Sequence, residues 1–228
     1  MKKPIVALSC LFLVIRCQAN PIPIPPPASM PWEYMYVQIQ PAGEELHAVF
    51  TGDFVFTHIP QDVQSMLFPV PPDACNIGAW MAAFPLAWAW SAEEYPTILP
   101  EIQTIPMIEW QGPFPLWGRV FRVDYEHDLI KRPTEFIFFY ESGTGKYFAT
   151  YDKTTTAYFD IELPVGYDVN GVWLDETPHE YQVVNRQLMI TVESHFGPIT
   201  NDLIVSMATS NMIACVFSRF FMSSKIAG

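Results

Sequence analysis

Three groups of side chains in this sequence have types and spacings that chemistry could use. The densest is "DYEHD", residues 124–128. On a strand, Asp124, Glu126 and Asp128 share one side with roughly 7 Å between them, and hard cations such as Ca²⁺ take such oxygens. A solvated outer face beside Arg122 and Lys131 accounts for the same pattern, and calcium sites usually draw ligands from a loop. No metal and no cofactor are therefore expected.

The second is "ESGTGKYF", residues 141–148, a Gly-Lys pair in a glycine-containing bend. A phosphate-binding loop needs Gly, four residues, then Gly-Lys-Ser/Thr, after a strand and before a helix. Here Tyr140 occupies the first position and Tyr147 the last, and the flanks alternate at period two. The stretch reads as the bend of a hairpin joining "EFIFFYE" to "KYFATYD".

The third is aromatic. Trp80, Trp88 and Trp90, with Phe84 and Tyr95, could stack on a sugar or hold a partner segment. Core packing between the lobes is the default reading, since Trp is highly buried on average. These three tryptophans are the candidate binding residues, and no catalytic residue is assigned. The five histidines (His47, His58, His127, His179, His195) show no metal-binding spacing such as HExxH. No Gly-x-Ser-x-Gly occurs. Asp160 with Glu162, or Glu93 with Glu94, could form a glycosidase-like pair only if a cleft joined them, and surface acids are the default.

The elements that must position these groups are strands. In "EYMYVQIQ", Met35, Val37 and Ile39 share one face and Tyr34, Tyr36 and Gln38 the other. Leu46, Ala48, Phe50, Phe54 and Phe56 keep one phase across Gly52, as a long strand bent at glycine or a tight hairpin would. "QSMLFPVPPD" is a strand ended by prolines. Residues 74–96, rich in Ala and Trp, predict an irregular insertion or a short helix capped by Asp73 and stopped by Pro85. Beyond a boundary at 111–115, Phe121, Val123 and Tyr125 alternate with Arg122, Asp124 and Glu126, and Phe159, Ile161 and Leu163 alternate with Tyr158, Asp160 and Glu162. "EFIFFYE" is apolar on both faces, which suits an interior strand. "EYQVVNRQLMITVE" reads as two strands around Asn185 and Arg186. The fold class expected is all-β: two antiparallel β-sandwich lobes, 32–112 and 113–210, with one continuous sandwich as the alternative. A tail follows at 211–228.

The N-terminus has the grammar of a secretion signal: "MKK", an apolar run, then small residues at Cys17 and Ala19. Cleavage after Ala19 is expected, giving a secreted or periplasmic protein; Arg16 disfavours lipoprotein anchoring through Cys17. The run is short for a membrane span. Losing Lys2, Lys3 and Arg16 moves the net charge from −12 to −15. Such acidity repels nucleic acid. Residues 20–31, "NPIPIPPPASMP", predict an extended, poorly ordered linker. Cys75 and Cys215 remain after cleavage and either form a disulfide or stay as two buried thiols.

"FTGDFVFTHIPQDVQSMLFPVPPDA", "FFYESGTGKYFATYDKTTTAYFDIELP" and "GPITNDLIVSM" resemble VIT-like domains and similar secreted bacterial β-proteins. The resemblance implies an exported, non-catalytic adhesion or scaffold module. The expected function is binding or scaffolding at the cell envelope, with an unidentified protein or glycan as partner. The alternative is a polysaccharide-binding or glycoside-hydrolysing module, and an exposed aromatic strip rather than a pocket of convergent acids would separate binding from hydrolysis.

Overall fold

The computed structural model describes residues 21–24, 28–96, 98–114, 117–141, 154–195 and 199–210. The regular elements among them are strands: β1 (Ile22–Ile24), β2 (Trp32–Ala42), β3 (Glu45–His58), β4 (Ser65–Pro69), β5 (Cys75–Met81), β6 (Phe84–Pro85), β7 (Trp88–Pro96), β8 (Thr104–Gln111) and β9 (Trp117–Asp128), then β10 (Ile130–Lys131), β11 (Phe136–Tyr140), β12 (Thr155–Glu162), β13 (Tyr167–Leu174), β14 (Thr177–Pro178), β15 (Gln182–Val184), β16 (Gln187–Ser194) and β17 (Leu203–Thr209). The all-β class expected from the alternating patterns holds.

The strands form one eight-stranded sheet, β15-β16-β12-β2-β3-β9-β5-β6, and two smaller ones, β1-β4-β8-β7 and β10-β11-β17-β13-β14. Neighbours are antiparallel except β12 and β2, which run parallel. Alternation decides which face is covered. In β3, Leu46, Ala48, Phe50, Phe54 and Phe56 are fully buried while the residues between them are partly exposed. Fully burying each such Phe contributes roughly 2–3 kcal/mol. Gly52 sits in the same inward phase, and a Cβ there would lie 2.8 Å from the Phe54 ring and 2.9 Å from the Phe50 ring. Glycine thus lets the two rings close over the backbone of one continuous 14-residue strand.

Both small sheets pack on this inward face. Phe68 of β4 meets Phe54 edge-on at 5.4 Å, and Trp110 of β8 stacks on Phe121 at 6.1 Å. Tyr140 of β11 meets both Phe50 at 5.7 Å and Phe159 at 5.3 Å. One core cluster runs through all three sheets.

Three expectations are corrected. Strands from both sides of 111–115 share the large sheet and the core, because β3 pairs with β9 and β12 with β2; the halves are not separate lobes. Residues 75–81, 84–85 and 88–96 are built into strands rather than a helix: the Ala- and Trp-rich run supplies edge strands whose backbone groups pair with β9 and β8. The proline-rich leader is not a loose linker. Ile22–Ile24 pairs with β4, Ser29 exchanges backbone hydrogen bonds across to His58 and Thr57, and Ile22, Ala28 and Met30 are buried. Proline is tolerated there because an edge strand needs only some of its N–H groups.

The hairpin bend at 142–146, the tail from 211 and the signal region 1–19 lie outside the described residues. So does Cys215, and with it the proposed pairing; Cys75 itself is exposed rather than buried. Among the described residues, no helix is long and apolar enough to cross a membrane.

Candidate functional site

The opposite face of the large sheet is not covered by either small sheet. Its side chains come from the outward phase of each strand, and the pairing register sets them in rows. One row reads Thr191, Tyr158, Tyr34, Asp53, Arg122, Trp80, each the direct cross-strand partner of the next. Six strands at about 4.8 Å spacing make this row about 24 Å long.

At one end, Tyr34 and Tyr158 stack with centroids 5.1 Å apart and planes 11° from parallel. Thr191 is too short to fill the space beside Tyr158. A groove of about 310 Å³ results, lined by Tyr34, Tyr36, Tyr158, Asp160, Met189 and Thr191. Tyr36 is 48% exposed, Trp32 44% and Tyr158 39%. Asp160 accepts a short hydrogen bond from Gln187, which fixes its carboxylate beside the groove. In the middle, Arg122 donates two bonds to Asp53, from Nε and Nη2, both at 2.8 Å. This bidentate bond holds the guanidinium pKa above its ordinary value. Burial pushes the neighbouring Asp124 carboxyl up, against a bond from Thr51 and the charge of Arg122, which pull it down.

Trp80 closes the other end. A Cβ on Gly78 would fall 1.9 Å from the Trp80 ring, so the indole lies across the glycine, down along the strand. Only a residue without a side chain leaves room for that flat placement.

The three expected tryptophans are not one cluster. Trp80 belongs to the open face of the large sheet. Trp88 and Trp90 are on β7, in the β1-β4-β8-β7 sheet; Trp88 packs against the core, and Trp90, 54% exposed, meets it edge-on at 5.7 Å. Phe84 is exposed on β6, and Glu93 and Glu94 are exposed on β7. Asp160 and Glu162 share the open face, but each is already engaged, by Gln187 and by Gln38 and Arg186.

The acidic cluster lies on the open face as its alternation predicts. Glu126 and Asp128 grip His47, which reaches Asp128 at 2.9 Å and Glu126 at 3.2 Å through its two ring nitrogens. The Asp128 bond leads in raising the His47 pKa, over a smaller opposing effect of burial. Lys131 pairs with Glu45 at 2.9 Å. Among the described residues, no group of three His, Cys, Asp or Glu is placed to hold a metal.

Sequence reasoning missed Trp32 and the joining of Tyr34 to Tyr158. The outward phase of both tyrosines was legible, but the parallel β2–β12 pairing across more than a hundred residues leaves no local signal.

No family model matches the chain, and no curated protein matches it. Solved structures do. A candidate nutrient-binding protein from Legionella pneumophila is 15% identical over 84% of this chain and 70% of its own, with a TM-score of 0.67. At that identity the likeness shows the fold. An M1 zinc metallopeptidase from Deinococcus radiodurans is 12% identical, covering 78% of this chain and 41% of its own at a TM-score of 0.43. Leukotriene A4 hydrolase from Saccharomyces cerevisiae is 8% identical, covering 76% and 28% at 0.43. This chain spans less than half of either enzyme.

Proposed function

We propose that this protein is an exported, non-catalytic binding module that holds a glycan of the cell envelope on the open face of its large sheet. The observation that supports it is the row on that face, with flat or stacked aromatics at both ends and a rigid ion pair between them. Sugars present apolar C–H faces that stack on aromatic rings and hydroxyls that bond to planar, pre-placed groups. Tyr158, Tyr34 and Trp80 supply the rings, and Arg122, Asp53, Asp160 and Thr191 supply the polar partners. The groove at the tyrosine end has the size of a small-ligand site. A hydrolase would need convergent, free carboxyls around a cleft, whereas Asp160 and Glu162 are bound to neighbours on an open surface. The description of the Legionella protein concerns that protein, and it agrees with a binding role for this fold.

Affinity electrophoresis through gels containing soluble envelope polysaccharides tests the reading, with tryptophan fluorescence as a second readout. The protein should be retarded by at least one polymer. Tyr158→Ala and Trp80→Ala should each weaken binding about tenfold or more, while Tm changes by only a few degrees. Indifference of the intact protein to every polymer would overturn the proposal, as would wild-type binding by both variants.

A further inference from the structure

The groove at the tyrosine end of the open face also carries a preference for charge. Met35, Phe159 and Ile190, from the buried phase of their strands, complete its lining. That lining holds one charged side chain, Asp160, and no cation.

Register fixes what surrounds this half-buried carboxylate. Asp160 is the direct partner of Tyr36 on one side and of Met189 on the other. Tyr158 lies two residues earlier on the same face, about 7 Å away. One face of the Tyr158 ring stacks on Tyr34. The other turns toward its β16 partner Thr191, which is too short to cover it. Gln187 donates to Oδ1 of Asp160 and holds it in place. The basic side chains around the face are already taken: Arg122 by Asp53, Lys131 by Glu45 and Arg186 by Glu162. The rest of the face has the same sign. The outward positions of β9, β12 and β16 bear Asp124, Glu126, Asp128, Glu162 and Glu193 besides Asp160, against the single cation Arg122.

We infer that the glycan held by the open face is cationic, an amino-sugar polymer with free amines, and that Asp160 and the Tyr158 ring bind its ammonium group. The inference rests on the glycan reading above. A pyranose lying over Thr191 stacks on the open face of Tyr158, and an ammonium on its edge reaches Asp160. The carboxylate attracts it through a charge-assisted hydrogen bond and the ring through its negative face. N-acetylation removes that charge. A polymer of uronates or phosphates meets repulsion along the whole sheet.

Isothermal titration calorimetry of the intact protein at pH 5.5, with tetramers of glucosamine and of N-acetylglucosamine, tests the inference. Amines are protonated and ordinary carboxylates ionised at that pH. The free-amine tetramer should bind about tenfold more tightly than the acetylated one. Asp160→Asn keeps an acceptor for Gln187 and should abolish that preference, with affinity for the acetylated tetramer unchanged. Glu94→Gln makes the same change of net charge on β7, in another sheet, and should retain the preference. Should Asp160→Asn fail to fold, Tyr158→Leu should cut the preference about threefold. Equal binding of the two tetramers overturns the inference and leaves the glycan reading standing. A preference that Asp160→Asn and Glu94→Gln reduce alike does the same, because it reports attraction to an acidic protein rather than to this groove. Binding of neither tetramer also overturns it; the glycan reading falls as well only when no polymer retards the protein in the gels.

Discussion

His47 and His127 sit on opposite faces of the same sheet, and their environments push them in opposite directions. His47 bridges two carboxylates, so its folded pKa lies above the ordinary 6.5. Its contribution to stability is complete below that unfolded value and disappears as pH rises through the higher folded one. His127 is buried and neutral, with a folded pKa below 6.5. Its contribution is present above the unfolded value and is lost as pH falls through the lower folded one. His47→Gln should therefore reduce Tm near pH 5.5 more than near pH 8.5, and His127→Phe should flatten the loss of Tm on acidification below pH 6. Thermal melts across pH 4.5–9 check both, and a uniform offset in either variant contradicts the assignment. Gly78 is the third residue whose role can be read off contacts. Gly78→Ala must lift the Trp80 ring. Glycan affinity should fall several-fold with a Tm change of a few degrees at most, because the obstructing atoms are the far end of a side chain.

Among the elements, β1 and the segment that follows it have the largest predicted effect. Ile22 packs with Leu67 and Met107, while Ala28 and Met30 enter the main core. Deleting residues 20–31 removes the buried Ile22 and Met30 side chains and uncovers Leu67, Met107 and part of the main core, at about 2 kcal/mol for each side chain lost. For a chain of this size the total of about 4 kcal/mol lowers Tm by roughly 8–16 °C. Differential scanning calorimetry of the truncated protein measures it, and an unchanged Tm would mean that β1 contributes nothing. The β15–β16 hairpin shows how local chemistry can settle an element alone. Asn185 and Arg186 both have positive φ, 52° and 68°, as a two-residue type I′ turn requires. Arg186 would ordinarily be strained there; its guanidinium crosses to the Leu163 carbonyl at 3.1 Å and to Glu162 at 3.2 Å, which offsets the strain.

For the whole molecule, the shared sheet has a direct consequence. The β2–β12 and β3–β9 pairings tie the first and second halves together, and residues from both fill one core. Unfolding should be a single transition, with calorimetric and van't Hoff enthalpies equal. Expressed separately, residues 20–112 and 113–228 should each expose a face of large aromatic side chains and fail to give a cooperative melt. Two resolved calorimetric transitions in the intact protein would contradict this architecture.

Much of this protein is set by its sequence alone, wherever the determining interaction is local. Alternation at period two decided which of Phe50, Phe121, Phe159 and Ile190 face inward, since a one-residue slip would turn every side chain to the other face. Proline and glycine placement marked the end of β4 and the inward position of Gly52, and the Asn185–Arg186 pair marked the β15–β16 turn. The same local rules failed at residues 20–31 and 75–96. Whether a proline-rich or an Ala- and Trp-rich stretch becomes a strand depends on the edge it meets, and β4 and β9 are distant in sequence from the partners they offer. The row on the open face and its groove belong wholly to tertiary structure. Tyr34 and Tyr158, or Tyr36 and Asp160, become neighbours through strand order and sheet packing, which are fixed by the summed burial of a whole core and leave no trace in the spacing of any one segment.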